Sequence, residues 1–153
     1  MILKKASVSD CEQLWRMQKE SFSGLLEKYR DYDTSPANEP VDKVRKRLEQ
    51  SFTYYYYINA DGENVGAIRI VDMKDDNTPK RISPVFIMPQ HRRKGYAKQA
   101  ILEAEKLHGS DNWELETILQ EEGNCRLYES LGYKKTGRTE DINTQMTLVY
   151  YRK

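Results

Sequence analysis

Cysteine is scarce in this sequence: Cys11 and Cys125 are the only two, far apart and without Cys-x-x-Cys spacing. A disulfide framework and a zinc site are therefore not indicated, and no metal is expected. An excess of either charge is missing as well. Lysine plus arginine number 25 and aspartate plus glutamate 24, so the net charge of +1 gives no general drive toward nucleic acid or an anionic membrane. No apolar run approaches the ~18 residues of a membrane span. The opening Met1-Ile2-Leu3-Lys4-Lys5 has no apolar segment behind its lysines. Neither export nor insertion is expected, and a cytoplasmic location is. Gly-Lys-Ser/Thr is absent, which argues against a nucleotide-triphosphate loop. Phenylalanine and tryptophan, 3 and 2 residues, are few beside 11 tyrosines. That balance suits β-strands and amphipathic pocket walls more than a purely greasy core.

A chain of 153 residues with 38% hydrophobic content suits one compact domain, residues 1–153. Ile2 to Ala6 reads as a strand, and Ser7 can cap a helix from about Val8. Cys11, Leu14, Trp15, Phe22, Leu25 and Leu26 form an imperfect helical stripe interrupted by Gln18. Tyr29 to Asn38 reads as a loop, and Val41, Val44, Leu48 and Phe52 repeat at helical spacing after Pro40. Thr53 to Ile58, the turn signal Asp61-Gly62 and Val65 to Met73 predict an antiparallel hairpin. Arg81 to Met88 continues the meander, and its Pro84, lacking an N–H, demands a bulge or an open ladder position. Ala97, Ala100, Ile101, Ala104 and Leu107 share one helical face that ends at Gly109. Trp113 to Leu119 predicts a strand, Asn124 to Leu131 a short helix closed by Gly132, and Tyr133 to Gly137 and Gln145 to Arg152 two last strands. The resulting order is β-α-α-β-β-β-α-β-α-β-β, a mixed α/β domain.

One junction in this order carries chemistry. Arg92-Arg93-Lys94-Gly95-Tyr96-Ala97 stands between a strand and a helix start. There the first helical N–H groups lack intrahelical partners and the helix dipole adds partial positive charge, so an anion such as a diphosphate is welcome. Gly95 permits torsions that other residues resist, Ala97 keeps the first turn slim, and the three cations add full charge. An ordinary solvated basic turn would read the same way in so short a stretch. A second segment, Asn124-Cys125-Arg126-Leu127-Tyr128-Glu129-Ser130-Leu131-Gly132-Tyr133, lies further along at another strand-to-helix junction.

The pattern Arg-x-x-Gly-x-Ala resembles the acetyl-CoA-binding motif of the GNAT family of N-acetyltransferases. The Leu-Tyr helix ending in Gly plus an aromatic is similar to that family's segment after its fifth strand. With the element order, the resemblance covers nearly the whole chain. It implies a GNAT-type mixed, mostly antiparallel sheet of about seven strands with about four helices. It also implies acetyl transfer from acetyl-CoA to a primary amine of a small molecule or peptide, by direct attack in a ternary complex. A non-catalytic acyl-CoA sensor of the same fold is the alternative, and a homodimer is a family-level expectation.

The resemblance places Phe86, Ile87 and Met88 along the pantetheine, between splayed strands near Arg81 to Met88 and Trp113 to Leu119. It places Arg92, Arg93, Lys94, Gly95, Tyr96 and Ala97 around the diphosphate, and the Tyr128 hydroxyl near the coenzyme's sulfur. Asn124 either caps its helix or touches the pantetheine arm, and Cys125 reads as a small buried thiol. A phenol of pKa near 10 can protonate a thiolate near 8.5 for about 2 kcal/mol, so Tyr128 suits a general acid. Deprotonating a lysine-like amine at pH 7 costs about 4 to 5 kcal/mol, an α-amine about 1. Many family members carry a glutamate on the strand before the phosphate turn, whereas Arg81 to Ile87 holds no carboxylate. A water chain, Glu116 or Asp72 is left as the base, and His91 reads as a solvated surface residue. The acceptor pocket is expected around Asp31 to Asn38, Tyr54 to Tyr57, Arg69, and Arg138 to Thr144.

Overall fold

The computed structural model describes residues 1–153. The chain runs through β1 (Ile2–Lys5), α1 (Cys11–Tyr29), α2 (Val41–Glu49), β2 (Thr53–Ala60), β3 (Glu63–Val71) and β4 (Lys80–Ile87). It continues through α3 (Tyr96–His108), β5 (Trp113–Ile118), α4 (Glu122–Ser130), β6 (Lys134–Asp141) and β7 (Thr147–Arg152). Short 3-10 turns at Val8–Asp10, Pro36–Asn38 and Pro89–His91 join them. All seven strands form one sheet in the order β1-β2-β3-β4-β5-β7-β6, antiparallel except where β4 meets β5. The expected element order and the mixed, mostly antiparallel sheet of seven strands with four helices are what the chain adopts.

Boundaries moved where local bonding outweighed pattern. The Asp61-Gly62 turn has positive φ at both residues, 52° and 80°, the geometry that matches strand twist. The ladder therefore starts beside the turn at Ala60–Glu63, and both strands reach closer to it than their apolar runs suggested. Gly137, also at positive φ, sits in an irregularity between Lys135 and Thr139, across which β6 continues to Asp141. Arg138 to Asp141, beyond the expected end of this strand at Gly137, are therefore strand as well. The chain's first helical residues, Val8–Asp10, wind as a 3-10 turn, with the Asp10 carboxylate accepting the Ser7 N–H at 2.8 Å.

Side-chain alternation gives the sheet two dry faces. One carries Ile58, Ile68, Ile70, Trp113 and Tyr151 against Ile101 and Ala104 of α3 and Tyr128 of α4. The other carries Tyr55, Tyr57, Ala67 and Phe86 against Leu14 and Met17 of α1 and Val44 of α2. Gln18, which interrupts the α1 stripe, is fully buried because its Nε2 donates to the Pro36 carbonyl and to Glu39, both at 2.9 Å. A buried amide held this way ties the loop after α1 to the helix.

The sheet forks at its centre. β4 and β5 pair only at Lys80–Trp113 and Arg81–Glu114. Beyond that point β4 stays with β3 as far as Ile87, and β5 stays with β7 as far as Ile118. At the start of the fork β4 carries the bulge that Pro84 demanded. Ile68 faces Val85 and Ile70 faces Ile82, so Arg69 alone stands across from Ser83 and Pro84.

Candidate active site

The hydrogen-bond register of β4 decides which main-chain groups line the fork. The Met88 N–H donates to the Val65 carbonyl at 2.8 Å, and pairing alternates from there. Phe86 is thus the next residue bonded to β3, while Ile87 and Val85 direct their N–H and C=O away from it. The Ile87 carbonyl accepts from Ser21 Oγ and Arg92 Nε, each at 3.0 Å. The amides of Val85 and Ile87 face a side on which β5 has already departed. Of the expected trio, then, Ile87 turns its amide toward the fork, whereas Phe86 and Met88 have their amides turned to β3; Val85, two residues before Ile87, also turns its amide toward the fork. A period of two counted from Ile87 was the signal for it.

The basic turn folds back onto this strand. Arg92 does not reach outward: its Nη2 donates to Ser21 O at 2.6 Å and Ser21 Oγ at 3.1 Å, besides the Nε bond to Ile87. Its guanidinium latches the turn to α1 and β4. Arg93 and Lys94 are exposed and make no ion pair. Gly95 has φ 79°, and a Cβ there would meet only Gln99 Nε2 at 3.7 Å, so torsion rather than space requires glycine. The first intrahelical bond of α3 runs from the Gln99 N–H to the Gly95 carbonyl. The N–H groups of Tyr96, Ala97 and Lys98 are thereby left for an anion.

Beneath the fork lies a cavity of about 410 Å³. Phe22, Leu25 and Leu26 of α1 form one wall, Ser83, Pro84 and Val85 a second, and Thr117, Ile118, Asn124 and Tyr128 a third. No histidine or cysteine lines it. Tyr128 is only 8% exposed, its ring packs against Tyr133 and Tyr151, and its hydroxyl has no protein partner. Burial, with Cys125 adding repulsion, pushes its pKa up to about 12. Asn124 lines the cavity too, but α4 starts two residues before it and Glu121 occupies the cap, so the capping reading fails. Cys125 is buried, its Sγ 3.9 and 3.8 Å from the carbonyls of Ile118 and Leu119.

Four carboxylates line the cavity, differently engaged. Glu116 pairs with Arg81 across the fork. Glu39 accepts both arms of Arg47, at 3.0 and 2.6 Å, and Lys43 at 3.3 Å. Asp31 accepts the Thr34 N–H at 3.0 Å and the Thr34 hydroxyl, with no cation beside it. Asp33 has no partner. Asp72, the other candidate base, lies elsewhere: at the joined end of the strands it accepts from His108 Nδ1 and the Lys74 N–H. His91 pairs with Glu63 at 3.3 Å on the turn after β4. Tyr54 and Tyr56 face the α3 side around His108, and Tyr55, Tyr57 and Arg69 are buried behind the cavity. None of these lines it. Nor does Arg138 to Thr144; Met146 and Leu148 of the last hairpin do. The wall from α1 reads as core in the sequence, because an apolar stripe cannot tell a packed neighbour from a cavity.

A mostly antiparallel sheet thus forks between β4 and β5, an anion-ready helix start follows the turn after β4, and a buried phenol stands on the cavity wall. Residues 12–133 match the family model described as the acetyltransferase (GNAT) family, and the chain belongs to that family. Solved structures of this fold align over nearly its full length. A spermidine N-acetyltransferase from Vibrio cholerae, solved with CoA and spermine, has a TM-score of 0.75 at 15% identity, covering 98% of this chain and 92% of its own. An acetyltransferase from Thermus thermophilus has a TM-score of 0.71 at 15% identity, covering 98% and 94%. The microcin C7 self-immunity acetyltransferase MccE, solved with acetyl-CoA and AMP, has a TM-score of 0.72 at 14% identity, covering 97% and 89%. No curated protein sequence matches this chain. No helix is long and apolar enough to cross a membrane, and no three His, Cys, Asp or Glu side chains converge as metal ligands.

Proposed function

We propose that the protein transfers an acetyl group from acetyl-CoA to the primary amine of a cationic small molecule or peptide. One observation carries the reading: where β4 and β5 part, Val85 and Tyr128 line the same cavity, and the turn that follows β4 leads into the open N–H groups at the start of α3. The residues fit the coenzyme. Main-chain amides of β4 suit an extended amide-bearing arm laid along them as an added strand. Arg93, Lys94 and the amides of Tyr96 and Ala97 suit a diphosphate. Acetyl-CoA would supply the acyl group as a thioester.

The chain's own groups then divide the work. Amides on β4 stabilise negative charge as it grows on the acyl oxygen. Tyr128 donates a hydrogen bond to the departing sulfur. Asp31 and Asp33 attract an acceptor carrying additional positive charge, and that the neighbour from Vibrio cholerae was solved with spermine supports such a class. Glu116, at the fork, receives the ammonium proton through water. The route is direct attack of the amine within a ternary complex, a reading supported by a cavity wall that carries no histidine or cysteine.

The test is release of free thiol from acetyl-CoA with a panel of amines, beside calorimetric titration of acetyl-CoA alone. Turnover is expected with di- and polyamines above neutral monoamines. Binding without release for any amine would move the reading to an acyl-CoA sensor, and no binding would end it.

A further inference from the structure

We propose that Arg69 is a positioning residue for acyl transfer: it braces the β4 bulge so that the Val85 amide points into the fork, and holds positive charge behind that amide. The inference rests on the acetyl-transfer reading above. At the bulge, Arg69 alone faces Ser83 and Pro84, and the Arg69 Nη1 donates to the Ser83 carbonyl at 2.8 Å. Pro84 brings no N–H of its own. The orientation of the Ser83 carbonyl therefore governs how the chain enters Val85, the first residue whose amide faces the fork. At its other end the guanidinium is anchored, because Nη2 donates to Gln50 Oε1 at 3.1 Å, an oxygen that also accepts Thr53 Oγ1 at 2.8 Å. Arg69 is a strut between the turn after α2 and the cavity wall.

Packing alone does not explain this residue. It is 7% exposed and has no carboxylate partner, while its Nε and the hydroxyl of its cross-strand neighbour Tyr55 are both buried without a hydrogen bond. A buried cation without a counterion is unfavourable, and an apolar side chain of similar length would pack there at less cost. Burial, reinforced by repulsion from Arg47, lowers the guanidinium pKa to about 10, so it stays charged at neutral pH. A local rule broken beside a reaction site is where function is expected to compensate. Ser83 and Val85 line the cavity, so the charge sits one layer behind the position where an acyl oxygen becomes negative.

Arg69→Met removes bond and charge, Arg69→Lys keeps the charge, and Gln50→Met releases the far anchor. Each is compared with wild type for melting temperature, acetyl-CoA Kd by calorimetry, and kcat with saturating amine. Arg69→Met is expected to fold with an equal or higher Tm and bind acetyl-CoA within about 3-fold of wild type. Its kcat should fall about 10- to 100-fold, with Arg69→Lys recovering part of the loss and Gln50→Met between the two. An Arg69→Met kcat within threefold of wild type would overturn the proposal. So would a loss tracked by an equal fall in acetyl-CoA affinity or in Tm. Wild type showing no turnover defeats the acetyl-transfer reading separately; the strut is then judged by the Val85 amide NMR shift, which must move in both Arg69→Met and Gln50→Met.

Discussion

Replacing Tyr128 with phenylalanine separates two ways in which this residue can help the leaving sulfur. Its phenol sits in a buried wall with no hydrogen-bond partner, and its pKa is pushed to about 12. Full proton transfer to a thiolate near 8.5 would then cost about 5 kcal/mol, against about 2 for an unperturbed phenol. A hydrogen bond to the developing thiolate needs no such transfer and contributes about 1.5 to 3 kcal/mol. The hydrogen bond is therefore the larger effect. Tyr128→Phe should lower kcat about 10- to 100-fold, leave the acetyl-CoA Kd nearly unchanged, and keep its fold, since the ring contacts with Tyr133 and Tyr151 persist. Stopped-flow or continuous thiol-release kinetics beside calorimetry measure all of this. A kcat within twofold of wild type would refute a role for the hydroxyl, and a loss beyond about 10⁴-fold would refute the hydrogen-bond account in favour of obligatory proton transfer.

Two further outcomes concern the scaffold. Gly66 lies so close to β4 that an added Cβ would press into the Phe86 carbonyl oxygen, which is backbone and cannot swing aside. Gly66→Ala should destabilise the fold by about 3 kcal/mol in urea denaturation, and a loss under about 1 kcal/mol would contradict the strand spacing. His108 has its pKa lowered by burial, despite the Asp72 carboxylate that accepts its Nδ1–H and favours the charged form. Its folded pKa lies below the unfolded value, so the unfolded chain binds more protons as pH falls, and stability is lost below about pH 6.5. Thermal melts from pH 8 to 5 should show that decline in wild type and a flatter profile in His108→Gln; a flat wild-type profile would sink the assignment.

Most of the fold was legible because its signals are local. The Asp61-Gly62 turn, the tyrosine-rich β2 and the apolar face of α3 each declare their own element. Pro84 announced the bulge by chemistry alone, since a residue without an N–H cannot complete a ladder. The Arg-x-x-Gly-x-Ala turn was equally plain, because a left-handed glycine before a helix is a backbone requirement.

What stayed hidden depended on residues distant in sequence. Arg92 opens the Arg-x-x-Gly-x-Ala turn, yet Ser21 and Ile87 claim its guanidinium, and only their approach in space decides that contest. Asp72 and Glu116 were equal candidates as written letters; the fork separates them, leaving Glu116 on the cavity and Asp72 beside His108. Which of Val85 to Met88 shows its amide to the cavity follows from register with β3, a pairing made across the sheet. Local torsional and periodic preferences were thus determined by the sequence itself, whereas the partner of each polar group was decided by tertiary structure, because hydrogen bonds and ion pairs are settled by proximity.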